Sequence, residues 1–336
     1  MKEILEQIAN RQNLSREQAH QTLQRIINNE LNATQAGAIL MGLRQKGETA
    51  EEINGFLDVL NEHKIKVKLK DEKAVDVCGT GGDGKGTFNV STAVSFVLAA
   101  GGVTVAKHGN RSISSKAGSA DVLEALGANI QMTPEQAKQC ADEIGLTFFY
   151  APSYHPAMKA IAPHRKSLSI RTVFNMLGPL LNPAGVKRQL IGTFNFSSAE
   201  MIAKVLQERQ YEHAFVIHAY DGLDEISPFS ETAVFEVSAK RQKIRAFSFN
   251  KFTSQGRHKD LLGENAKHNA QKIRAIFSGK KGADRDIVVF NAAFGFLVAD
   301  KVTDLNQGRR LAEEMIDSGL ALKKLNQFVR FTNSFN

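Results

Sequence analysis

The sequence has few of the features that mark secreted or membrane proteins. Its 336 residues include only two cysteines, Cys78 and Cys140, which are too few for a disulfide framework or a cysteine-based metal site. No run of 18 or more apolar residues occurs, and the first residues, MKEILEQIANRQ, hold no apolar signal core. These absences predict a cytoplasmic protein that does not enter a membrane.

Familiar catalytic sets are missing as well. The sequence offers no Ser-His-Asp set, and His155 and His164 have no metal-ligating partners at a useful spacing. We therefore expect neither covalent catalysis nor a histidine-bound metal.

The composition is that of a globular protein with an excess of positive charge. The chain is 42% hydrophobic and 23% charged, as in ordinary globular domains, and its length predicts two domains. The net charge of +8 and the pI near 9.4 suggest an anionic partner, which could be a polyphosphate substrate or nucleic acid, or nothing specific.

Residues 1–63 carry helical patterns throughout. Capping-box spacings predict helices that begin at Ser15 and Thr49, and Thr34 is predicted to cap a helix that stops near Gly47. This much apolar surface in a small helical domain suits a dimer contact.

The lysine-rich stretch at 63–73, HKIKVKLKDEK, alternates charged and apolar residues, which indicates an extended linker or an edge strand. We place the domain boundary there. The prediction is a helical domain at 1–70, joined by the proline-containing stretch 155–186, and a second domain at 71–336.

From residue 74 onward, strand and helix patterns alternate, which predicts an α/β domain with a mostly parallel central sheet flanked by helices. The predicted strands are 75–78, 103–106, 146–149, 188–194, 213–218 and 232–237. The predicted helices are 90–100, 119–126, 134–144, 198–209, 266–277, 286–299 and 306–318.

Residues 79–92, GTGGDGKGTFNVST, form a glycine-rich stretch between a predicted strand and a predicted helix. That order aims backbone N–H groups and the positive end of a helix at an anion, and glycines let the backbone approach it closely. The stretch therefore predicts a phosphate-binding loop. A glycine-rich turn without a ligand is the alternative.

Two common nucleotide-binding motifs do not fit this loop. A G-x-G-x-x-G match begins at Gly79, but the acidic residue expected about 20 positions later is missing, since no Asp or Glu occurs between Asp83 and Asp121. A Walker motif fails because Lys85 lacks the required glycine spacing and is followed by Gly86.

A second loop, KHGNRSISSKAGSAD at 107–121, follows the next predicted strand. It mixes cations, hydroxyl groups and glycines, which suits a ligand with several phosphates. Because ligands of parallel α/β sheets bind beyond the carboxyl ends of the strands, both loops should face one crevice. A solvated basic loop is the alternative.

Carboxylates after a later strand suggest a magnesium site. Asp224 and Glu225 lie in a turn beyond the predicted strand 213–218, where adjacent side chains can converge. Two carboxylates near bound phosphates suit Mg²⁺, and the Ser91 hydroxyl could be a further ligand. Asp83 is expected to accept a hydrogen bond within its loop or from a ligand hydroxyl. A solvated acidic turn is the alternative for the carboxylate pair.

Arg165, in HRKSLSIRT, could bind a substrate carboxylate through a bidentate contact. A surface residue or an ion-pair partner is the alternative.

The two loops together resemble those of the anthranilate phosphoribosyltransferase family of tryptophan biosynthesis. The resemblance continues through YHPAMK at 154–159, RTVFNMLGPLLNPA at 171–184, GLDEIS at 222–227 and NAA at 291–293, and so spans nearly the whole chain. One departure is Ser169, where the family usually has glycine.

The resemblance implies transfer of the phosphoribosyl group of phosphoribosyl pyrophosphate (PRPP) to the anthranilate amine, with two Mg²⁺ ions per subunit and a homodimer. It implies that Lys107 and Asp83 position the substrates and supply charge. It places one magnesium on Ser91 and Glu225 and the second on Asp224 and Glu225. The implied anthranilate-binding residues are Gly79, Asn110 and Arg165. The implied PRPP-binding residues are Gly79, Gly82, Asp83, Thr87, Asn89, Val90, Ser91, Thr92, Lys107, His108, Gly109, Asn110, Arg111, Ser112, Ile113, Ser114, Ser115 and Ser119.

Two other functions remain open from the sequence. A nucleoside phosphorylase of the same fold would consume phosphate and release a base. A nucleic-acid-binding protein would use the basic surface, and its binding would fall steeply with salt. The intact glycine loop argues against nucleic acid.

Overall fold

The structure is a computed structural model that describes residues 1–112 and 116–335. The chain divides into two compact units. The helical unit comprises Met1–Ile65 and Pro152–Leu181, and the α/β unit comprises Lys66–Ala151 and Asn182–Asn336.

The α-helices of the described residues are α1 (Lys2–Ala9), α2 (Arg16–Ile27), α3 (Ala33–Lys46), α4 (Ala50–His63), α5 (Val90–Ala100), α6 (Ser119–Ala125), α7 (Pro134–Ile144), α8 (Ala151–Tyr154), α9 (Met158–Leu168), α10 (Phe174–Leu177), α11 (Phe196–Glu208), α12 (Ala266–Phe277), α13 (Ala283–Val298), α14 (Leu305–Asp317) and α15 (Leu320–Asn333). The strands are β1 (Val75–Val77), β2 (Val105–Gly109), β3 (Leu146–Tyr150), β4 (Arg188–Gly192), β5 (His213–Ala219), β6 (Thr232–Ser238) and β7 (Arg245–Phe249). Short 3₁₀ helices cover Gly178–Leu181 and His258–Leu261.

Reciprocal caps begin helices α2, α3 and α4 of the helical unit. The boxes at Ser15 and Thr49 are confirmed. The cap predicted at Thr34 is wrong, because Asn32 has the extended backbone of a cap and its side chain accepts from the N–H of Gln35. Thr34 lies inside α3, which ends at Gly47 (φ 89°) as predicted.

The α/β unit contains one mostly parallel sheet, as predicted, with the strand order β3-β2-β1-β4-β5-β6-β7. The first five strands in that order are parallel, and β6 and β7 add antiparallel pairs at one edge. Because β1, β2, β4 and β5 run parallel, their carboxyl ends meet at the same edge of the sheet. The apolar helices α5 and α13, nearly all of whose residues are buried, form the core beside it.

Three sequence predictions about elements are corrected. Strand β2 runs from Val105 to Gly109 rather than over 103–106, because its pairing with β3 starts at Val105 opposite Leu146. Lys107 and His108 therefore lie in the strand, not after it. Strand β7 and helix α15 were not predicted. β7 is short and mostly exposed, with only Phe249 buried.

In the lysine-rich stretch at 63–73, His63 ends α4 and residues 64–73 belong to no strand, so the predicted edge strand is wrong and the linker stays a prediction. Among the residues that the structure describes, no helix has the length and apolarity needed to cross a membrane.

Candidate active site

The glycine-rich loop joins the end of β1 to the start of α5 and contains four glycines with a left-handed backbone conformation. Gly81, Gly82, Gly84 and Gly86 have φ values of 62°, 81°, 72° and 67°. Residues other than glycine rarely adopt a positive φ, so these positions favour glycine. Helix α5 then begins at Val90 without a side-chain cap. The Val90 N–H donates to the Phe88 carbonyl (2.7 Å), and the Glu225 carboxylate accepts from the Ser91 N–H.

A second pair of glycines lets the acidic turn approach this loop. A Cβ on Gly192, at the end of β4, would lie 1.7 Å from the backbone oxygen of Asp224. A Cβ on Gly79 would lie 3.2 Å from Asp224 Oδ2. The carboxyl ends of β1 and β4 and the turn beyond β5 therefore meet at one point.

Ser91, Asp224 and Glu225 line the same pocket, together with Cys78, Gly79 and Asn291. Burial, reinforced by the neighbouring Asp83 carboxylate, raises the pKa of Asp224 to about 8. Burial and then the charge of Asp224 raise the pKa of Glu225 well above its usual value. Loss of water and mutual repulsion both disfavour the ionised pair, so the turn suits a cation.

Lys107, on β2, is a charge neighbour of Glu225. Its side chain is almost fully buried, and its Nζ donates to the Val77 carbonyl (2.7 Å) and to Ser91 Oγ (3.2 Å). Its charge also opposes the rise in the pKa of Glu225. A donor that is already fixed beside the pocket loses little entropy when it binds an anion.

Asn291 holds the turn that carries Asp224 and Glu225 by hydrogen bonds. Its Oδ1 accepts from the backbone N–H of Ile226 (2.9 Å), and its Nδ2 donates to the Ile287 carbonyl (2.8 Å). In the sequence, Asn291 was named only as part of the NAA motif. An asparagine in the middle of an apolar helix is itself a sign of a hydrogen-bonded contact, because a buried amide needs partners.

A buried aspartate, Asp76, was not predicted as part of the site. Its carboxylate accepts from the His108 N–H (3.1 Å), Asn182 Nδ2 (2.8 Å) and Gln189 Nε2 (3.3 Å). Burial raises its pKa to about 6, opposed by the charge of Lys107. The network ties β1 to β2 and β4, and His108 is buried.

The carboxylate of Asp121 holds the second loop at two points. Asp121 Oδ2 accepts from the backbone N–H groups of Ser112 (3.1 Å) and Gly118 (2.8 Å). Arg111 Nη1 pairs with Asp121 (2.9 Å) and with Glu124 (2.6 Å). An anion that binds Arg111 would have to compete with these two carboxylates.

Among the other residues of this loop that were predicted to bind the donor, the structure describes Ser119 but not residues 113–115. Ser119 Oγ donates to the Asn110 carbonyl (3.3 Å). Ile113, Ser114 and Ser115, which were predicted to bind the donor, lie outside the described residues.

Arg165 belongs to the helical unit, whereas Gly79 and Asn110 belong to the α/β unit. The Arg165 guanidinium lies over the Phe174 ring, 5.7 Å from the ring centroid, and burial lowers the pKa of Arg165. Four residues later Ser169 ends α9 with a left-handed backbone, φ 51°. This conformation explains why glycine suits the position, since a serine there is strained.

No group of three or more His, Cys, Asp or Glu side chains within residues 1–112 and 116–335 forms a complete metal site. The carboxylates nonetheless fit a cation, because Asp83 Oδ2 is buried without a hydrogen-bond partner and Asp83 is a charge neighbour of both Asp224 and Glu225. Mg²⁺ commonly takes few protein ligands and completes its shell with phosphates and water.

Family models match nearly the whole chain. A glycosyl transferase family helical bundle domain matches residues 2–64, and a glycosyl transferase family a/b domain matches residues 71–322.

Full-length relatives and solved structures agree with these models. Anthranilate phosphoribosyltransferase from Acetivibrio thermocellus is 48% identical over 336 residues, which is 100% of this chain and 97% of the relative. The crystal structure of anthranilate phosphoribosyltransferase from Thermus thermophilus has a TM-score of 0.91 at 35% identity and covers 98% of this chain and 99% of its own. The enzyme from Saccharomyces cerevisiae in complex with PRPP and Mg has a TM-score of 0.86 at 28% identity, with 96% and 94% covered. The chain belongs to the anthranilate phosphoribosyltransferase family.

Proposed function

We propose that this protein transfers the phosphoribosyl group of PRPP to the amine of anthranilate and releases pyrophosphate, without a covalent enzyme intermediate. The observation that carries the proposal is the meeting of Ser91, Asp224 and Glu225 around one pocket, at the end of a glycine loop and next to the buried ammonium of Lys107. This combination suits a ligand with several phosphates and its metal ions.

The donor binds at the two loops. The left-handed glycines and the uncapped start of α5 present N–H groups to the pyrophosphate, and Lys107 adds a fixed positive charge. The residues proposed to bind the donor are those of the glycine loop, Gly79, Gly82, Asp83, Thr87 and Asn89 to Thr92, and those of the second loop, Lys107 to Ser115 and Ser119.

Two Mg²⁺ ions would be held at the acidic turn, one by Ser91 and Glu225 and the other by Asp224 and Glu225. When bound, they would neutralise charge on the pyrophosphate group. The buried Asp83 Oδ2 without a partner and the raised pKa values of Asp224 and Glu225 support a site that is built to be completed by cations.

The acceptor binds through its carboxylate. Arg165 would receive that group in a bidentate contact, with Asn110 and Gly79 completing the acceptor site. Aromatic amines are weakly basic, so the nucleophile needs positioning more than it needs a strong general base.

In the reaction, the amine nitrogen forms a bond to C1 of the ribose while the bond from C1 to the pyrophosphate oxygen breaks. The electron pair of that bond leaves with pyrophosphate, and the amine releases a proton to the solvent. The protein's contribution is to orient both substrates and to stabilise the leaving charge with Lys107 and backbone N–H groups.

We also propose that the chain forms a homodimer through the helical unit. Met41 and Ile170, both of this unit, are 43% and 39% exposed, and a subunit contact would cover these apolar side chains. Light scattering over a range of concentrations checks this proposal. A monomer mass at every concentration would contradict it.

Product analysis separates the proposed transferase from a phosphorylase. We expect one pyrophosphate and one phosphoribosyl-anthranilate, identified by mass, for each PRPP consumed. Phosphate-dependent release of a base from a nucleoside, with no product from PRPP, would overturn the proposal.

A further inference from the structure

The asparagine that precedes helix α5 does not cap the helix with its side chain. Asn89 occupies the N-cap position, yet its side chain makes no hydrogen bond to the first turn. Asparagine is among the preferred N-cap residues because its side-chain oxygen normally accepts from one of the first N–H groups. Something therefore holds the Asn89 carboxamide away from its own helix.

Both ends of that carboxamide have other partners. Asn89 Nδ2 donates to the Ala117 carbonyl in the second loop (3.1 Å). Asn89 Oδ1, the atom that would cap α5, accepts instead from Asn269 Nδ2 (2.9 Å). Asn269 thus occupies the cap acceptor, and Asn89 joins the glycine loop to the second loop.

Asn269 is itself fixed. It lies in the first turn of α12, it is 2% exposed, and its Oδ1 accepts from the Glu264 N–H (3.0 Å). A Cβ on Gly263 would lie 2.8 Å from Asn269 Oδ1 and 2.9 Å from Phe88 Cα. Glycine at 263 is what allows this close approach.

The backbone of the same segment pairs with the glycine loop. The Phe88 N–H donates to the Leu261 carbonyl (3.0 Å), and the Gly263 N–H donates to the Gly86 carbonyl (2.8 Å). Residues 261–269 therefore hold residues 86–89 by the main chain and, through Asn269, by a side chain.

We propose that Asn269 is a positioning residue for the phosphoribosyl donor, an inference that rests on the proposed function. It turns Asn89 away from the start of α5, so that the Asn89 side chain does not take the N–H of Thr92, in the first turn, which could bind the phosphate. Without Asn269, Asn89 Oδ1 is released and can rotate to cap α5. The side-chain cap would then compete with the ligand for the same donor.

The test compares Asn269→Ala and Asn269→Ser with Asn265→Ala in the full-length protein. Asn265 is the exposed N-cap of the same helix, and its side chain accepts from the His268 N–H without contacting the glycine loop. The control therefore weakens α12 without releasing Asn89. The two Asn269 variants differ in side-chain polarity, so one can stand in if the other fails to fold.

We expect both Asn269 variants to raise the KM for PRPP roughly 10-fold, the size expected from one or two hydrogen bonds. The KM for anthranilate should change less than about threefold, and Asn265→Ala should leave both constants near wild type. In an Asn89→Ala background, Asn269→Ala should have no further effect on the KM for PRPP.

An Asn269 variant that matches Asn265→Ala in its KM for PRPP, with wild type active, would overturn the inference and leave the proposed function standing. Equal rises in both KM values would also overturn it, because a general loss of structure would explain them. Wild-type protein that neither binds nor consumes PRPP would overturn both.

Discussion

Lys107 on β2 and Ser91 on α5 are joined by a hydrogen bond of 3.2 Å. The bond links the strand that leads into the second loop to the helix that follows the glycine loop. Because Lys107 also donates to the Val77 carbonyl of β1, its ammonium is held by the sheet itself. The charge that would face a leaving pyrophosphate is therefore fixed before the substrate arrives, which is the arrangement that electrostatic catalysis needs.

Arg165→Ala should weaken anthranilate binding. Removing a bidentate contact to a carboxylate costs about 1.5–3 kcal/mol, so we expect the KM for anthranilate to rise by roughly 10- to 100-fold with little change in the KM for PRPP. Steady-state kinetics with each substrate varied measures this. Lys166→Ala, which removes the exposed neighbouring cation, is the matched control. An unchanged KM for anthranilate would remove Arg165 from the acceptor site.

Gly192→Ala should destroy the site. The new Cβ would lie 1.7 Å from the backbone oxygen of Asp224, so the acidic turn must move. We expect a loss of more than about 2 kcal/mol in the free energy of unfolding and no measurable turnover. Gly178→Ala is the control, because nothing lies within 4 Å of its added Cβ. Equal stability of the two variants in urea unfolding would contradict this geometry.

Ser169→Gly should stabilise the protein by about 0.5 kcal/mol, because relief of about 1–2 kcal/mol of left-handed strain exceeds the loss of the exposed hydrogen bond from Ser169 Oγ to the Lys166 carbonyl. Ser169→Ala should instead destabilise it, since alanine keeps the φ of 51° and loses the hydroxyl bond from Ser169 Oγ to the Lys166 carbonyl (2.8 Å). Thermal unfolding gives the order of the three proteins. A glycine variant less stable than wild type would contradict the assigned strain.

His155 should make the protein sensitive to acid. Burial, with help from the charge of Lys64, lowers the pKa of His155 to about 4. Between about pH 6.5 and 4 the unfolded chain binds a proton at this residue that the folded chain does not, so stability falls as the pH falls. At pH 4 the loss approaches about 3 kcal/mol.

The variant His155→Gln removes this titration. Its free energy of unfolding should fall less than that of wild type between pH 7 and pH 4, whereas His63→Gln, at an exposed histidine of the same unit, should follow wild type. Parallel pH curves for wild type and His155→Gln would show that another group causes the acid sensitivity.

The sequence predicted the parts of the site that are local in the chain. The glycine loop, the helix after it and the acidic turn each have a recognisable pattern within about 15 residues, because turns and caps depend on neighbouring residues. The parallel order of the central strands followed from the alternation of strands and helices.

Contacts between distant segments could not be predicted in this way. Asn269 meets Asn89 across 180 residues, and Asn182 meets Asp76 across 106. A single buried amide or carboxylate gives no periodic pattern, and its partner is set only when the sheet forms. The true start of β2 was missed for the same reason, since pairing with β3 defines it.

The most direct test of the account follows anthranilate fluorescence after PRPP is added, with and without Mg²⁺. It compares wild type with the double variant Asp224→Asn, Glu225→Gln and with Asp71→Asn, Glu72→Gln, an adjacent and exposed carboxylate pair. We predict magnesium-dependent loss of fluorescence for wild type and for the exposed-pair variant, and at least a roughly 1,000-fold slower loss for the site variant. Near-normal activity of the site variant would show that the turn at Asp224 and Glu225 is not the metal site. No loss of fluorescence with folded wild-type protein would contradict the proposed reaction.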